Sequence, residues 1–351
     1  MVANNRGVPL LELDPNGLYC AAGDFYIDPW GAVERAVVTH AHSDHATPGS
    51  QAYLTARDGE AVLRARVGPE VPIQATAYGE ELTMGGVRIS LHPAGHVLGS
   101  AQVRIERGGE VWVVSGDYKL ASDPTCAPFE PLRCQVFVTE STFGLPIFRW
   151  PDASQVISAI HAWWRANQQL RRASVLFAHP LGKAQRLLAC VDPSVGPIYT
   201  HGAVERMNHL YREQGIVLAP TTHAAAGSCW AGALIVAPPS CHGTAWERRF
   251  GEFSTAFASG WMRIRGTRRR RSLDRGFVIS DHADWPGLLR AVEETRADYV
   301  WVTHGYRAPR IRIQPEANAV ENSPKPRSQA VPWQDGGATM SAPAQQLPAA
   351  A

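Results

Sequence analysis

The residues best suited to chemistry lie in one short segment, His40-Ala41-His42-Ser43-Asp44-His45. Three histidines and a carboxylate this close together can turn their side chains into one small volume. Imidazole and carboxylate groups are the ligands of divalent metals of the zinc type. A solvated loop that happens to be rich in histidine is the alternative, but thirteen histidines in 351 residues would rarely cluster in this way by chance. The segment therefore predicts half of a site for two metals.

The other ligands must come from distant parts of the chain, and three candidates are present. They are His96, Asp117 and His304, each of which stands next to a glycine. Glycine lets the backbone approach closely where a larger residue would obstruct a metal centre. Taken alone, each would more often be a hydrogen-bonded core or turn residue; combined with the first segment, they are predicted metal ligands.

The elements that must position these residues are short apolar runs, each followed by a polar side chain. Runs of this kind are typical of strands buried on both faces. They are Ala36–Thr39 before His40, Val111–Val114 before Asp117, Val136–Thr139 before Glu140, Phe277–Ile279 before His282, and Tyr299–Thr303 before His304. Polar residues gathered at strand ends predict a site along one edge of a layered α/β structure.

Amphipathic segments between these runs predict helices over Ala153–Asn167 and Pro286–Thr295. A further strand and helix are expected over Ser174–Ala178 and Gly182–Val191. Residues 307–351 are rich in Pro, Ala, Gln, Ser and Asn without periodicity. Such a composition predicts a disordered tail.

The motif His40-x-His42-x-Asp44-His45, followed by His96 and Asp117, resembles the signature of the metallo-β-lactamase superfamily. Asp28 matches the structural aspartate that precedes this signature. Glu140, His282 and His304 resemble the three additional motifs of the β-CASP nucleases. The segments Gly23–Trp30, Gly260–Arg263 and Ser280–Trp285 are most similar to the bacterial ligase-associated DNA exonucleases. The resemblance covers about residues 10 to 306 and does not extend into the tail.

This resemblance implies an αββα sandwich, formed by residues 1–145 and 275–306, with an inserted α/β β-CASP lobe over residues 146–274. Two divalent metal ions are implied, zinc first and manganese as the alternative. His40, His42 and His96 would hold one ion, Asp44, His45 and His304 the other, and Asp117 would bridge them.

Asp44, Glu140 and His282 are the implied catalytic residues. His282 would contact the scissile phosphate and protonate the leaving oxygen, and Glu140 would orient it. A purely structural alternative is a helix that begins near Asp284, capped by acidic residues, and both interpretations can hold together. Asp28 is expected to support the loop rather than bind metal.

Contacts with nucleic acid are predicted for Lys183, Arg263, Arg265 and Arg268. The arginines belong to a run that lies beside Trp261, which suits a single-strand channel. A solvated basic surface is the alternative for both the run and the Lys183–Arg186 segment. His179 is expected to be structural.

The formal net charge is only +2, so attraction to a polyanion must come from such local clusters. The six cysteines are scattered, which suits a reducing cytoplasm, and no segment reads as an export signal or a membrane span. The resemblance to the ligase-associated exonucleases implies a DNA exonuclease that acts in repair with a DNA ligase. An RNA-processing nuclease of the same fold, a small-molecule metallohydrolase and a noncatalytic nucleic-acid-binding protein are the alternatives.

Overall fold

Residues 9–225, 229–264, 266 and 273–305 are described by the structure, which is a computed structural model; for residues 304 and 305 it describes the backbone only. The chain divides into one unit over Met1–Gln314 and another over Pro315–Ala351. The second unit lies wholly outside the described residues. The predicted disorder of residues 307–351 therefore also lies outside them.

The N-terminal part of the chain builds a first sheet of six strands. Its first three strands are antiparallel neighbours and its last four are parallel. In spatial order the strands are β1 (Glu12–Asp14), β2 (Gly17–Cys20), β3 (Phe25–Ile27), β4 (Arg35–Val37), β5 (Ala52–Ala56) and β6 (Ile73–Thr76).

A second six-stranded sheet combines the middle of the chain with its last described strand. In spatial order its strands are β18 (Tyr299–Gly305), β11 (Val136–Ser141), β10 (Glu110–Val114), β9 (Ala101–Arg107), β8 (Val87–Pro93) and β7 (Leu82–Met84). The strands β10, β11 and β18 run parallel to one another. Their carboxyl ends therefore lie at one edge of the sheet.

The two sheets pack face to face through a shared apolar core. Val37 and Leu54 of the first sheet are buried in the same cluster as Val136 and Val138 of the second. The alternate residue Phe137 points the other way, into a different cluster. Because successive side chains of a strand face opposite sides, the continuous apolar runs of the sequence fill the core between the sheets and also the outer face.

Six α-helices lie in the described part of the chain. They are α1 (Glu60–Val67), α2 (Ala153–Gln169), α3 (Lys183–Cys190), α4 (Gly202–Glu213), α5 (Ala245–Arg248) and α6 (Trp285–Thr295). On the outer face of the second sheet, Leu288 and Ala291 of α6 pack in one cluster with Phe137. On the outer face of the first sheet, Leu63 of α1 packs with Tyr53. The layer order is thus helix, sheet, sheet, helix, and the predicted α/β class is confirmed.

A third sheet follows in the chain after α2, and all its strand pairs are parallel. In spatial order its strands are β14 (Thr222–His223), β13 (Ile198–Thr200), β15 (Leu234–Ala237), β12 (Ala173–Phe177), β16 (Phe253–Ala258) and β17 (Arg275–Phe277). Helices α2, α3 and α4 share an apolar cluster with the outer face of the first sheet. This packing places the start of α3 against the edge where β4 ends.

The predicted helices and strands are confirmed to within about two residues, with one exception. The run Phe277–Ile279 was expected to be a strand, but β17 covers Arg275–Phe277 instead. Its last residue pairs with Ala258, where the neighbouring strand β16 ends. The third sheet therefore includes Arg275–Phe277. Among the described residues, no helix combines the length and apolar character that a membrane span needs.

Candidate metal centre and catalytic site

The predicted metal-binding side chains meet at the carboxyl ends of strands from both stacked sheets. The histidine segment follows β4, His96 lies in the turn between β8 and β9, and Asp117 follows β10. Loops at these strand ends converge on one edge of the sandwich. His40, His45 and His96 are almost completely buried there, and His42 and Asp117 are nearly so.

Four donor atoms form the centre of this cluster. His42 Nδ1 lies 3.0 Å from His40 Nε2 and 3.1 Å from His96 Nε2. Asp117 Oδ2 lies 3.5 Å from His40 Nε2 and 3.7 Å from His96 Nε2. All four ligand atoms fall within 4.8 Å of one another. Three nitrogens and one carboxylate oxygen match the preferred donor set of a zinc-type cation.

The outer nitrogen of each ring contacts a partner that sets its tautomer. His42 Nε2 lies 3.2 Å from the Leu181 carbonyl, and His96 Nδ1 lies 2.8 Å from the Asp281 carbonyl. Because a carbonyl only accepts, these outer nitrogens carry the proton and the inner nitrogens carry lone pairs. His40 Nδ1 likewise carries its proton and donates it to the Thr39 hydroxyl oxygen, which lies 3.1 Å away. Lone pairs that converge at about 3 Å fit a shared cation, since they would otherwise repel one another.

The electrostatics of the cluster favour neutral imidazoles around an ionised carboxylate. Burial lowers the pKa of His40, His42 and His96, and neighbouring imidazoles lower it further. Burial alone would raise the pKa of Asp117, but the charges of His282 and His45 hold it well below its usual value. Metal binding requires these protonation states.

A second group of donors borders the first. His45 Nε2 lies 3.5 Å from Asp117 Oδ2 and 3.8 Å from Asp44 Oδ2. Asp117 therefore stands between the two groups, as a bridging ligand must. The backbone of His304 belongs to the end of β18, while its side chain lies outside the described residues.

Asp28 stabilises the histidine loop through contacts with Thr39 and His45. Its carboxylate accepts hydrogen bonds from the backbone N–H of Thr39 at 2.8 Å and from the Thr39 hydroxyl at 2.6 Å. Its Oδ2 also lies 2.7 Å from His45 Nδ1, which turns His45 Nε2 towards Asp117. Asp28 thus contacts a ligand candidate from outside the cluster.

Two of the glycines beside the predicted ligands are required by close backbone approach. A Cβ atom on Gly95 would lie 2.2 Å from the carbonyl oxygen of Lys119, and one on Gly116 would lie 2.6 Å from Thr39 Oγ1. Both glycines also adopt positive φ angles. Any side chain at either position would displace His96 or Asp117.

His282 and Glu140 form a pair at the open side of the cluster. His282 Nδ1 lies 2.9 Å from Glu140 Oε2, while Glu140 Oε1 accepts a hydrogen bond from the Tyr118 backbone at 2.8 Å. Burial lowers the pKa of His282, but the charges of Glu140 and Asp117 outweigh it and raise the pKa to about 9. His282 is therefore a charged donor at neutral pH. The helix interpretation also holds, since Asp284 caps α6 by accepting from Gly287 N.

Lys183 and Arg186 each form an ion pair with a buried carboxylate, and the predicted contact of Lys183 with nucleic acid stays a prediction. Lys183 Nζ lies 2.8 Å from Asp281 Oδ1, and both side chains are largely buried. Arg186 is buried as well, where its Nε lies 3.2 Å from Asp123 Oδ2. A solvated basic surface is therefore wrong for Lys183 and Arg186, because both side chains neutralise buried carboxylates.

The arginine run is described only in part. Arg263 is exposed, and its Nε donates to the carbonyl of Ile147 at 3.2 Å. Arg265 and Arg268 lie outside the described residues, so their predicted contacts with nucleic acid stay predictions. His179, expected to be structural, packs its ring edge to face against His42, with ring centroids 4.6 Å apart.

The sequence argument missed the role of Asp281 and its lysine partner. Asp281 was not among the predicted site residues, yet its carbonyl orients His96 and its carboxylate pairs with Lys183. No spacing rule links residues almost a hundred positions apart. The only available signal was an acidic residue directly before His282.

Comparison with curated proteins places this site in a family. The chain is 31% identical over 294 residues, 83% of its length, to a protein of Opitutus terrae named probable DNA ligase. It is 25% identical over 142 residues to the endoribonuclease YSH1 of Yarrowia lipolytica, and 24% identical over 142 residues to cleavage and polyadenylation specificity factor subunit 3 of Dictyostelium discoideum. The homologues of this chain include β-CASP nucleases of the metallo-β-lactamase superfamily.

The chain matches only part of each relative. It covers 29% of the Opitutus protein and 17% of the Yarrowia protein, so it spans less than a third of the length of either. A solved structure of a protein of unknown function from Enterococcus faecalis V583 shares the fold, with a TM-score of 0.53 and 11% identity over 80% of this chain and 79% of that one. No family model matches the chain.

Proposed function

We propose that the protein is a metal-dependent nuclease that hydrolyses phosphodiester bonds, and specifically a DNA exonuclease that acts in repair together with a DNA ligase. The observation that carries this proposal is the convergence of His40, His42, His96 and Asp117 beside the His282–Glu140 pair. The cluster offers metal ligands, and the pair offers a proton donor. Both face the same buried edge of the sandwich.

The proposed metal sites follow from the two groups of donors. His40, His42 and His96 would hold the first ion and Asp44, His45 and His304 the second, with Asp117 shared between them. When bound, divalent ions would lower the pKa of water and neutralise charge on the phosphate. Zinc suits the nitrogen-rich first group, and manganese is the alternative because carboxylates contribute to the second.

His282 is the proposed acid. Its Nδ1 faces Glu140, which leaves Nε2 as the nitrogen that can face a substrate. A charged His282 can protonate the oxygen of the leaving nucleotide as the phosphodiester bond breaks. The Glu140 carboxylate both orients the ring and keeps it charged.

The third sheet is the proposed β-CASP lobe, inserted in a metallo-β-lactamase domain that is built from the segments on either side. The strands β12 to β17 and helices α2 to α5 fall between β11 and the His282 loop. The start of α3 forms one wall of the site. A strand of nucleic acid would therefore lie between this lobe and the two stacked sheets. Arg263, Arg265 and Arg268 are proposed to contact its phosphates.

DNA is proposed as the substrate because the relative that matches 83% of this chain is named a probable DNA ligase. RNA processing is the second candidate, since several partial relatives are named endoribonucleases. All six cysteines are free thiols in the structure, which is compatible with the proposed cytoplasmic location.

The proposal is tested with end-labelled single- and double-stranded DNA and RNA, incubated with the protein and with its Asp117→Ala variant. Metal content is measured on both. We expect two metals per chain and a one-nucleotide ladder from one end of DNA, both lost in the variant. Internal cuts would indicate an endonuclease, and cleavage of RNA alone would favour the second candidate. Intact substrates with two metals bound would overturn the nuclease proposal.

A further inference from the structure

A pocket of about 260 Å³ opens between helices α1 and α4, next to the donor cluster. His42, a member of the cluster, forms part of its wall, and so does the ring of His179. The pocket therefore shares a side chain with the proposed metal centre. A group bound in it would lie directly beside whatever is held at that centre.

The interior of the pocket is mainly apolar. Val62 of α1, Met207 of α4 and Leu181 from the loop before α3 contribute to its lining. Together with the flat ring of His179, they form walls suited to an aromatic ring rather than to a sugar or a phosphate alone. Nucleic acid bases are commonly held in this way, between apolar and aromatic surfaces.

Two arginines stand among the lining residues, one from each helix. Arg66 and Arg206 are both exposed, and Arg206 Nη2 donates to the carbonyl of Ala65 at 2.9 Å, which fixes its direction. Nearby Arg57 and Arg64 pair with Glu80 and Glu60.

Among the described residues, by contrast, neither Arg66 nor Arg206 has a carboxylate within ion-pair distance. Their charges are therefore available to an external anion. A phosphate on the strand that enters the pocket is the anion that this arrangement suits.

We propose that this pocket binds one nucleotide of a single nucleic acid strand next to the bond that is cut, with the base on the apolar walls and a phosphate on Arg66 and Arg206. The inference rests on the proposed nuclease function and adds a binding site to it. A pocket that accepts one nucleotide at a time would also explain why an exonuclease removes one nucleotide in each round of cleavage. It requires an unpaired base, so single strands should bind better than duplexes.

The test measures binding of a ten-nucleotide single strand with phosphorothioate linkages, which resist hydrolysis, by fluorescence anisotropy at several salt concentrations. For the Arg66→Gln/Arg206→Gln variant we expect binding about tenfold weaker, because charge-assisted contacts are lost. The slope of log Kd against log salt should fall by about 0.7, since the two arginines share one phosphate and each neutralised phosphate on a single strand contributes about 0.7. Unchanged affinity and slope would overturn the proposal.

Two further variants separate the base from the phosphate and from general charge. Ala203→Phe adds a ring at an exposed lining position of α4 and should weaken binding without changing the salt slope. Arg57→Gln/Arg290→Gln removes two exposed, acid-paired arginines that do not line the pocket and should bind nearly as the unmodified protein does. Equal weakening by this control variant would contradict the pocket, because only overall charge would then matter.

Hydrolysis of bis(4-nitrophenyl) phosphate, a phosphodiester too small to need the pocket, distinguishes the two proposals. The arginine variant should keep this activity while KM for an ordinary oligonucleotide rises. If the unmodified protein binds the strand through Arg66 and Arg206 but hydrolyses neither substrate, the nuclease proposal fails and the pocket stands. If it hydrolyses the small diester but binds no strand, the pocket proposal fails.

Discussion

Lys183 Nζ lies 2.8 Å from Asp281 Oδ1, and the carbonyl of the same aspartate lies 2.8 Å from His96 Nδ1. The first residue of α3 is thereby connected to the metal cluster through one buried residue. Burial alone would raise the pKa of Asp281, but Lys183 and nearby histidines hold it well below its usual value. The ion pair thus keeps a charged carboxylate inside the protein.

Lys183→Met should destabilise the fold strongly, because Asp281 would keep its burial and lose its cation. Removing one partner of a buried pair costs about 3–5 kcal/mol. Urea denaturation at neutral pH measures this loss. Arg290→Gln is the control, since Arg290 and Glu294 are a more exposed pair, and it should cost less than about 1 kcal/mol. A loss as small as that of the control would mean that Asp281 is satisfied without Lys183.

The same variant has a distinct dependence on pH. In the unmodified protein the depressed pKa of Asp281 contributes stability that is present above the unfolded pKa, about 3.9, and is lost as pH falls. Without the lysine this contribution is smaller. The difference in unfolding free energy should therefore be largest at neutral pH and shrink below about pH 4.

Asp28→Asn should weaken metal binding while leaving the loop conformation intact. The amide oxygen introduced by this change could still accept from Thr39, but it would hold His45 less firmly than the carboxylate does. Loss of a partner that orients a ligand lowers metal affinity roughly 10- to 100-fold. Competition with a chromophoric chelator measures this affinity. Asp24→Asn is the matched control. Asp24 also has a positive φ angle, but its carboxylate belongs to an exposed ion pair. The metal affinity of this variant should be unchanged.

Much of this site could be anticipated because the predicted ligands lie at or just after the ends of strands. The carboxyl ends of parallel strands share an edge, so the apolar runs before His40, Asp117 and Glu140 already placed these residues together. The approximate bounds of the strands that carry these residues followed from the same runs. The glycines beside His96 and Asp117 were correctly interpreted as places of close backbone approach.

The features that could not be predicted depend on contacts between distant segments, and no periodic pattern in the sequence links such segments. The burial of Lys183 and Arg186 against carboxylates was not predicted, because a sequence does not show which helix face packs against another loop. For the same reason the pocket could not be predicted, because its two arginines lie on α1 and α4, 140 positions apart. The end of β17 was misplaced since it is set by the neighbouring strand β16 rather than by its own residues.

Glu140→Gln should lower the pKa of His282 in the metal-free protein. Burial lowers this pKa, and the carboxylates of Glu140 and Asp117 raise it to about 9. Removing one of the two charges should lower it by about one to three pH units. Titration of the His282 ring followed by NMR measures the change. The control Glu294→Gln removes a surface charge on α6 and should leave the pKa of His282 unchanged. An unchanged pKa in Glu140→Gln would show that some other group keeps His282 charged.

Gly95→Ala should disturb both stability and metal binding, and Gly108→Ala separates the two causes. Both glycines have positive φ angles, +74° and +59°. An alanine costs about 1–2 kcal/mol in that conformation at either position. Only at Gly95 would the new Cβ meet an atom at 2.2 Å, the Lys119 carbonyl, whereas at Gly108 it would meet open space among the described residues.

Overpacking should therefore cost Gly95→Ala about 1–3 kcal/mol more than its control in urea denaturation. Because the shifted backbone carries His96, its metal affinity should also fall, while that of Gly108→Ala should not. Equal stability losses would show that the turn accommodates a methyl group. Normal metal affinity in Gly95→Ala would show that the position of His96 does not depend on this close approach.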